Sequence, residues 1–347
     1  MNKGLLYAFL LAVQFGIQPL LFKRFVAPEV QKFSLIVVTE LCKIAIASLS
    51  FAAMSSKDLR HLWYNWRLVD SLTVVSPPAV LYAIQNLLVQ ASYQHHISSM
   101  MFNLLNQTKT LSAAFWVFMV LGKGQSRMQV LALLLLLASA VVLNLDAVTA
   151  SGPVAAGNVN KSDIAIDSVS STHSLLRWME PHLAALFVMA ASMISGLSAA
   201  LTQKVLTRSS NVNSLLVSAE LAVYGIVFLV VKEVFWDLKH LSPAVASGQL
   251  VHNFWEGWGV WTLLPVLSSA LGGIIIGLVT QHAGSVTKGF ALIFGLFFTG
   301  LAQWAVDGQG LQVSDWVALG LVSVSIYIHT SYPLPPPLKI EEKKKNE

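Results

Sequence analysis

Two Thr-Lys pairs stand inside apolar stretches long enough to cross a bilayer: Thr108-Lys109 within residues 97–121, and Thr287-Lys288 at the head of a stretch that runs to Ala305. A lysine held at bilayer depth costs at least ~2.5 kcal/mol, so such residues face a wet cavity or a bundle interior and meet something anionic there. A single one can instead lay its alkyl stem along the lipid and snorkel to the interface. Two at matching places in the two halves of a chain point to an anion site, and the anion that paired ammoniums suit is phosphate. Glu40 and Glu220 are the carboxylates well inside apolar stretches. Three roles stay open for them: a proton-linked or gating group, a counter-ion for Lys43, or a satisfied structural acid. His95 and His96 are adjacent and point in different directions on a helix, and no Cys/Asp/Glu cluster accompanies them. Neither a metal site nor a cofactor is expected. No grouped acids, histidines or nucleophile suggest catalysis.

The elements that position these lysines must be membrane helices. Of 347 residues, 55% are hydrophobic and only 11% charged, with a mean hydropathy of +0.65, far more apolar surface than a soluble domain can bury. Runs able to cross a ~30 Å hydrocarbon core at 1.5 Å per residue begin near residues 4, 33, 72, 97, 126, 181, 212, 258, 285 and 313, which predicts an all-α polytopic protein of ten transmembrane helices. The first run holds Gln14 and Gln18 and lacks the flanks of a cleaved signal peptide, so it reads as a retained helix. Cys42, the single cysteine, excludes an intramolecular disulfide.

Ten spans leave both termini on one side. Lys57, Arg60, Arg67, Lys123, Arg127, Lys204 and Arg208, together with the basic tail, favour the cytosol for that side. Lys23, Arg24 and Lys32 run against the rule. Shifting the chain by about 180 residues superposes Gly16 on Gly196, Arg24 on Lys204, Glu40-Leu41 on Glu220-Leu221 and, at 179, Thr108-Lys109 on Thr287-Lys288. A five-plus-five duplication follows. Since five is odd, the copies insert with opposite orientation, the inverted-repeat plan that places a transport site near the midplane. The expected organisation is a first repeat over 1–146, a lumenal linker over 147–180, a second repeat over 181–332 and a cytosolic tail over 333–347. The linker is rich in Ser, Ala, Asn and Gly, and Asn160 begins a glycosylation sequon within it.

The runs VTELCKIAIA, LYAIQNLL, NQTKT, GLSAALTQKVL, LGGIIIGLV, VTKGF and VSIYIHTSYP resemble the nucleotide-sugar transporter family. They are most similar to its branch for CMP-sialic acid, UDP-galactose and UDP-N-acetylglucosamine. FGIQPLLFKR and the terminal lysines resemble a plant endoplasmic-reticulum group of UDP-N-acetylglucosamine and UDP-N-acetylgalactosamine carriers. The resemblance implies a drug/metabolite-transporter-like fold and assigns roles by position. Asn86 matches a nucleotide contact, with Tyr82 and Gln85 agreeing at neighbouring motif positions. Lys109 and Lys288 match the lysines that bind the nucleotide phosphate, with Thr287 and Gly289 flanking the second. Asn103 and Gln107 stand where the family often has YQVTYQLK and this chain reads FNLLNQTK, so Phe102 lacks a hydroxyl that the family supplies. In span seven, Ser218 and Ala219 replace an Arg-Asn pair, and Tyr224 aligns with a nearby family tyrosine.

The resemblance implies an antiporter that imports a UDP-sugar, best matched by UDP-N-acetylglucosamine or UDP-N-acetylgalactosamine, in exchange for UMP. Another nucleotide sugar such as CMP-sialic acid or UDP-galactose, another phosphorylated metabolite, and a membrane enzyme are the competing classes. The expected partners are the nucleotide sugar, the nucleoside monophosphate and the lipid bilayer, with no nucleic acid polymer; a homodimer is one expected assembly. Lys344 and Lys345, third and fourth from the end, resemble a dilysine retrieval signal read by retrograde coat proteins. They place the protein in the endoplasmic reticulum, with the Golgi as the alternative.

Overall fold

The computed structural model describes residues 3–94, 99–150, 171–208, 212–239, 254–307 and 313–333. Among these residues every regular element is helical: α1 (Lys3–Phe25), α2 (Lys32–Ala52), α3 (Ser56–Asn65), α4 (Leu68–Asp70), α5 (Ser76–Gln94), α6 (Ser99–Leu121), α7 (Arg127–Ala150), α8 (Ser171–Thr207), α9 (Ser214–Lys239), α10 (Leu263–Asp307) and α11 (Val313–Ser331). A helix apolar on all sides satisfies its own backbone and can lie in lipid. The outward leucines agree, Leu49 being 71% and Leu186 62% exposed.

By length and apolarity six described stretches can cross a membrane: Lys3–Phe25, Phe33–Ala52, Leu68–Val89, Leu183–Thr207, Ser214–Lys232 and Val260–Ala302. Arg127–Val142 and Trp316–Ser331 are shorter apolar helices. The eighth and ninth expected runs both fall within Leu263–Asp307, where Gly284, with a φ of 88° and a ψ of 166°, breaks the helix into two arms, the second starting where the ninth run was expected near residue 285. Positive φ is open to glycine at no steric cost. Gln203 caps the second arm, its Oε1 accepting the Ser285 backbone N–H at 2.8 Å, while Ser285 Oγ donates to the Ala199 carbonyl at 2.8 Å. A helix start buried in protein needs such a partner for its orphan donors.

The third expected run contains a different irregularity. Between α4 and α5 the chain makes a π turn over Ser71–Val75. Pro77 and Pro78 follow immediately and, lacking N–H groups, leave carbonyls of the preceding turn without their usual donors. A side chain fills part of the gap, Ser76 Oγ donating to the Leu72 carbonyl, while one turn earlier Thr73 Oγ1 donates to the Val69 carbonyl at 2.7 Å.

Packing brings the helices into two similar groups. α1 lies in the V of α10: Gln14 Nε2 donates to the Ser268 carbonyl on the first arm at 3.0 Å, and Thr299 Oγ1 on the second arm donates to the Gly16 carbonyl at 2.9 Å. α8 lies against α5 and α6 in the same manner, with Ser112 Oγ donating to the Met193 carbonyl at 3.2 Å. Both crossings need a glycine. A Cβ on Gly16 would strike Phe298 and the Gly295 carbonyl, and one on Gly196 would strike Ser112 and Ala113. In a membrane such small residues let backbones approach closely enough for dispersion to hold the helices together. α2 packs on α9, and α7 packs on α11.

α7 ends at Ala150 and α8 already begins at Ser171, ahead of the expected span start near residue 181. Linker residues 151–170, with Asn160, and the terminal Lys344 and Lys345 lie outside the described residues.

Candidate functional site

A cavity of about 270 Å³ opens between α2, α5, α8, α9 and α10. Its wall carries Glu40 and Lys43 from α2, Tyr82 and Asn86 from α5, Thr202 from α8, Ser218 from α9, and Gly273, Gly277 and Lys288 from α10. Lys288, Tyr82, Asn86 and Glu40, all singled out by type and spacing, therefore meet in one place although they come from three helices.

The charge in this wall is unbalanced. Lys43 Nζ lies 2.6 Å from Glu40 Oε1, so of the three roles open for Glu40 the structure realises the counter-ion. Among the described residues nothing pairs with Lys288. Lys109 lies behind it, likewise without a hydrogen-bonding or ionic partner, and the two ammoniums repel one another. Leu111 and Ala114 of α6 share an apolar cluster with Val286, Phe290 and Ile293 of α10, and the closest approach is at a glycine. A Cβ on Gly289 would approach Thr110 Cγ2 to 2.5 Å, and each of these two residues directly follows one of the lysines. Gly289 acts here as a packing residue of the α6–α10 crossing. Two unpaired cations at one crossing are costly when empty and relieved by a multivalent anion.

The remaining sequence-predicted residues fall around this centre. Thr287 turns its hydroxyl to the Ala283 carbonyl at 2.8 Å, and Thr108 does the same to Leu105 at 2.6 Å; Thr287 faces a different cavity, beside Gly284. Gln85 and Gln107 are half-buried outside the lining. Asn103 sits on α6, its side chain outside the described residues. Tyr224 is likewise outside the lining: its hydroxyl lies 2.8 Å from Ser71 Oγ, and its ring packs on the Val75, Val205, Leu206 and Val217 cluster. Glu220 accepts a hydrogen bond from Trp66 Nε1 at 2.6 Å and borders a separate cavity. Glu40 and Glu220, which match under the expected repeat, thus have different partners.

Three contributors to the wall were not among the expected ligand residues. Lys43 reaches the cavity through a notch in α10: a Cβ on Gly273 would come within 2.5 Å of Lys43 Cε. Thr202 and Ser218 add hydroxyls to the wall. The signal for Lys43 was present in its three-residue spacing from Glu40, which places both on one helix face. Ser218 stood out only as a replacement for the family's Arg-Asn pair, and Thr202 carried no signal, since single hydroxyls are common inside membrane helices.

Helices of spanning length around a cavity that presents an unpaired lysine, an aromatic ring and an amide suit a membrane carrier for an anionic solute. Comparison with known proteins makes the class specific. The nucleotide-sugar transporter family model matches residues 21–330, and the chain belongs to that family. It is 36% identical over 345 residues to the UDP-N-acetylglucosamine transporter ROCK1 of Arabidopsis thaliana, covering 99% of this chain and 95% of that protein. It is 24% identical to the UDP-N-acetylglucosamine/UDP-N-acetylgalactosamine transporter nstp-4 of Caenorhabditis elegans over 74% of this chain and 67% of that one. It is 23% identical to CMP-sialic acid transporter 2 of Oryza sativa subsp. japonica over 75% and 64%. A solved crystal structure shares the fold at a TM-score of 0.64 and 12% identity, covering 96% of this chain and 99% of the other.

Proposed function

We propose that this nucleotide-sugar transporter carries UDP-N-acetylglucosamine or UDP-N-acetylgalactosamine from the cytosol into the lumen of the endoplasmic reticulum in exchange for UMP, by alternating access. The observation that carries this reading is the cavity in which unpaired Lys288, backed by Lys109, faces the ring of Tyr82 and the amide of Asn86. The lysines take the phosphates, while the ring and amide offer stacking surface and both hydrogen-bonding senses to the base. The N-acetylhexosamine preference draws on the 36% identical Arabidopsis protein, which is named for UDP-N-acetylglucosamine.

Ten spans in two inverted five-helix halves give this mechanism its moving parts. The related seats of α1 in α10 and of α8 against α5 and α6, each with its crossing glycine at Gly16 or Gly196, support that plan. An empty site leaves two cations unpaired, which raises the barrier to reorientation without cargo and makes exchange obligatory. Both termini face the cytosol in this reading, and the dilysine end supplies the address.

The test is uptake into proteoliposomes loaded with UMP, CMP or GMP and offered labelled UDP-N-acetylglucosamine, UDP-N-acetylgalactosamine, UDP-galactose, CMP-sialic acid or a triose phosphate. Exchange of the two UDP-N-acetylhexosamines should require internal UMP. Equal exchange with internal CMP or GMP would reject the uridine assignment, and preferential CMP-sialic acid uptake would favour the activity named for the rice relative.

A further inference from the structure

A second cavity of about 320 Å³ adjoins the central one, and its wall includes the exposed Arg67 and Arg208 together with Trp66 and Glu220. Val217 belongs to the walls of both cavities. Val75, Val205, Leu206 and Val217 form one buried apolar cluster at this boundary, with Leu221 and Tyr224 packed against it. A dry layer of branched side chains stops a hydrated phosphate, because crossing it strips water from the charge with nothing to replace it.

Two hydrogen bonds clamp the helices that carry this layer. Trp66 Nε1 donates to Glu220 Oε1 at 2.6 Å, and Ser71 Oγ meets Tyr224 Oη at 2.8 Å. Both tie the α3–α4 connection and the π turn to one face of α9, since residues four apart lie above each other on a helix. An indole can only donate, and a carboxylate makes the acceptor charge-assisted and strong.

The far end of the bundle repeats the device with neutral groups. Trp258 Nε1 donates to Ser34 Oγ on α2 at 3.0 Å, and Thr262 Oγ1 donates to the Phe25 carbonyl at 3.1 Å. The first arm of α10 measures the separation. It runs from beside Thr262 to Gln281, whose amide donates to the Val212 carbonyl just before α9 at 2.9 Å, a rise of about 28 Å at 1.5 Å per residue. Each mouth is thus tied by an indole that precedes a spanning segment and donates to a helix of the other half.

We propose that the Trp66–Glu220 bond and the valine layer beneath it form one gate of the carrier, and that the Trp258–Ser34 bond is the counterpart at the opposite mouth. The inference rests on the alternating-access reading. Opening proceeds by release of one indole bond while the other holds, and the charge-assisted member makes the Trp66 mouth the harder to open in the empty carrier.

The reporter for the test is Gly225, which lines the central cavity and where an added Cβ meets nothing within 4 Å. In sealed vesicles a Gly225→Cys, Cys42→Ser protein is labelled with a membrane-impermeant maleimide from each face in turn. Trp66→Phe keeps a ring and removes the donor; it should speed labelling from the Trp66 face about tenfold, the factor that ~1.4 kcal/mol of lost closure gives. Glu220→Gln still offers an amide oxygen and should give a smaller increase, as should Ser71→Ala. Trp258→Phe should speed labelling from the other face only. Unchanged labelling in Trp66→Phe and Ser71→Ala, or equal acceleration from both faces by either tryptophan variant, would overturn the gate. Nucleotide-sugar exchange measured in the same vesicles separates the two ideas: the expected labelling pattern without exchange keeps the gates and removes the cargo.

Discussion

Replacing Lys288 by Met should make the empty protein more stable and the transporter inactive. Lys288 faces the central cavity with no partner among the described residues and shares a helix crossing with the equally unpaired Lys109. A thioether of similar length removes both the burial cost and the mutual repulsion. A cation at bilayer depth costs at least ~2.5 kcal/mol, of which the open cavity leaves a fraction, so a gain of roughly 1 kcal/mol in the empty state is expected. Binding moves the other way. A hydrogen bond to a charged group contributes ~1.5–3 kcal/mol, so nucleotide affinity should fall by about 10- to 150-fold. At a UMP concentration of 100 Kd the native protein gains ~2.7 kcal/mol from ligand, whereas a variant weakened 100-fold gains only ~0.4 kcal/mol. The assay is thermal unfolding in detergent with and without UMP, paired with exchange in proteoliposomes. A misfolded variant loses stability and exchange together, so opposed signs identify a binding residue. If Lys288→Met unfolded earlier than the native protein yet kept its full shift with UMP, the assignment of Lys288 to phosphate would be refuted.

Gly289→Ala should abolish most exchange, because its Cβ would approach Thr110 Cγ2 to 2.5 Å and the backbone next to both lysines would shift; adding Thr110→Ala should restore much of it, a coupling that exchange rates in a double-mutant cycle read directly. Asn86→Ala should weaken UMP by about 1 to 2 kcal/mol while leaving inorganic phosphate binding unchanged, measured by competition. A protein with Lys344 and Lys345 replaced by Ser, or with two alanines added after Glu347, should leave the endoplasmic reticulum for the Golgi in fluorescence localisation. The second change keeps every charge, so continued residence of both variants would remove the tail as an address.

What the sequence disclosed, and what it hid, divides by the range over which partners act. Lys288, Tyr82 and Asn86 were legible because a cation or an amide inside an apolar run is anomalous within a few residues of itself, whatever the fold does. The Glu40–Lys43 pair lay within one helical turn, so spacing alone offered it. Glu220 looked equivalent to Glu40 under the repeat, yet its partner Trp66 is 154 positions away and arrives through a loop that no periodicity describes. Tyr224 shows the same limit more sharply. Motif alignment put it with the ligand residues, whereas the π turn before Pro77 presents Ser71 to its hydroxyl. The break at Gly284 falls where the ninth run was expected to begin; what the sequence did not disclose is Gln203, which comes from another helix and supplies the cap that lets the chain turn without leaving the bundle. The partners of Glu220 and Tyr224 come from the opposite half of the chain, whereas Gln203 and Ser285 belong to the same half. Under the proposed alternating-access reading the contacts between halves are those that must rearrange, so cargo chemistry shows in the sequence as local anomalies while the proposed gating contacts become visible only in the assembled bundle.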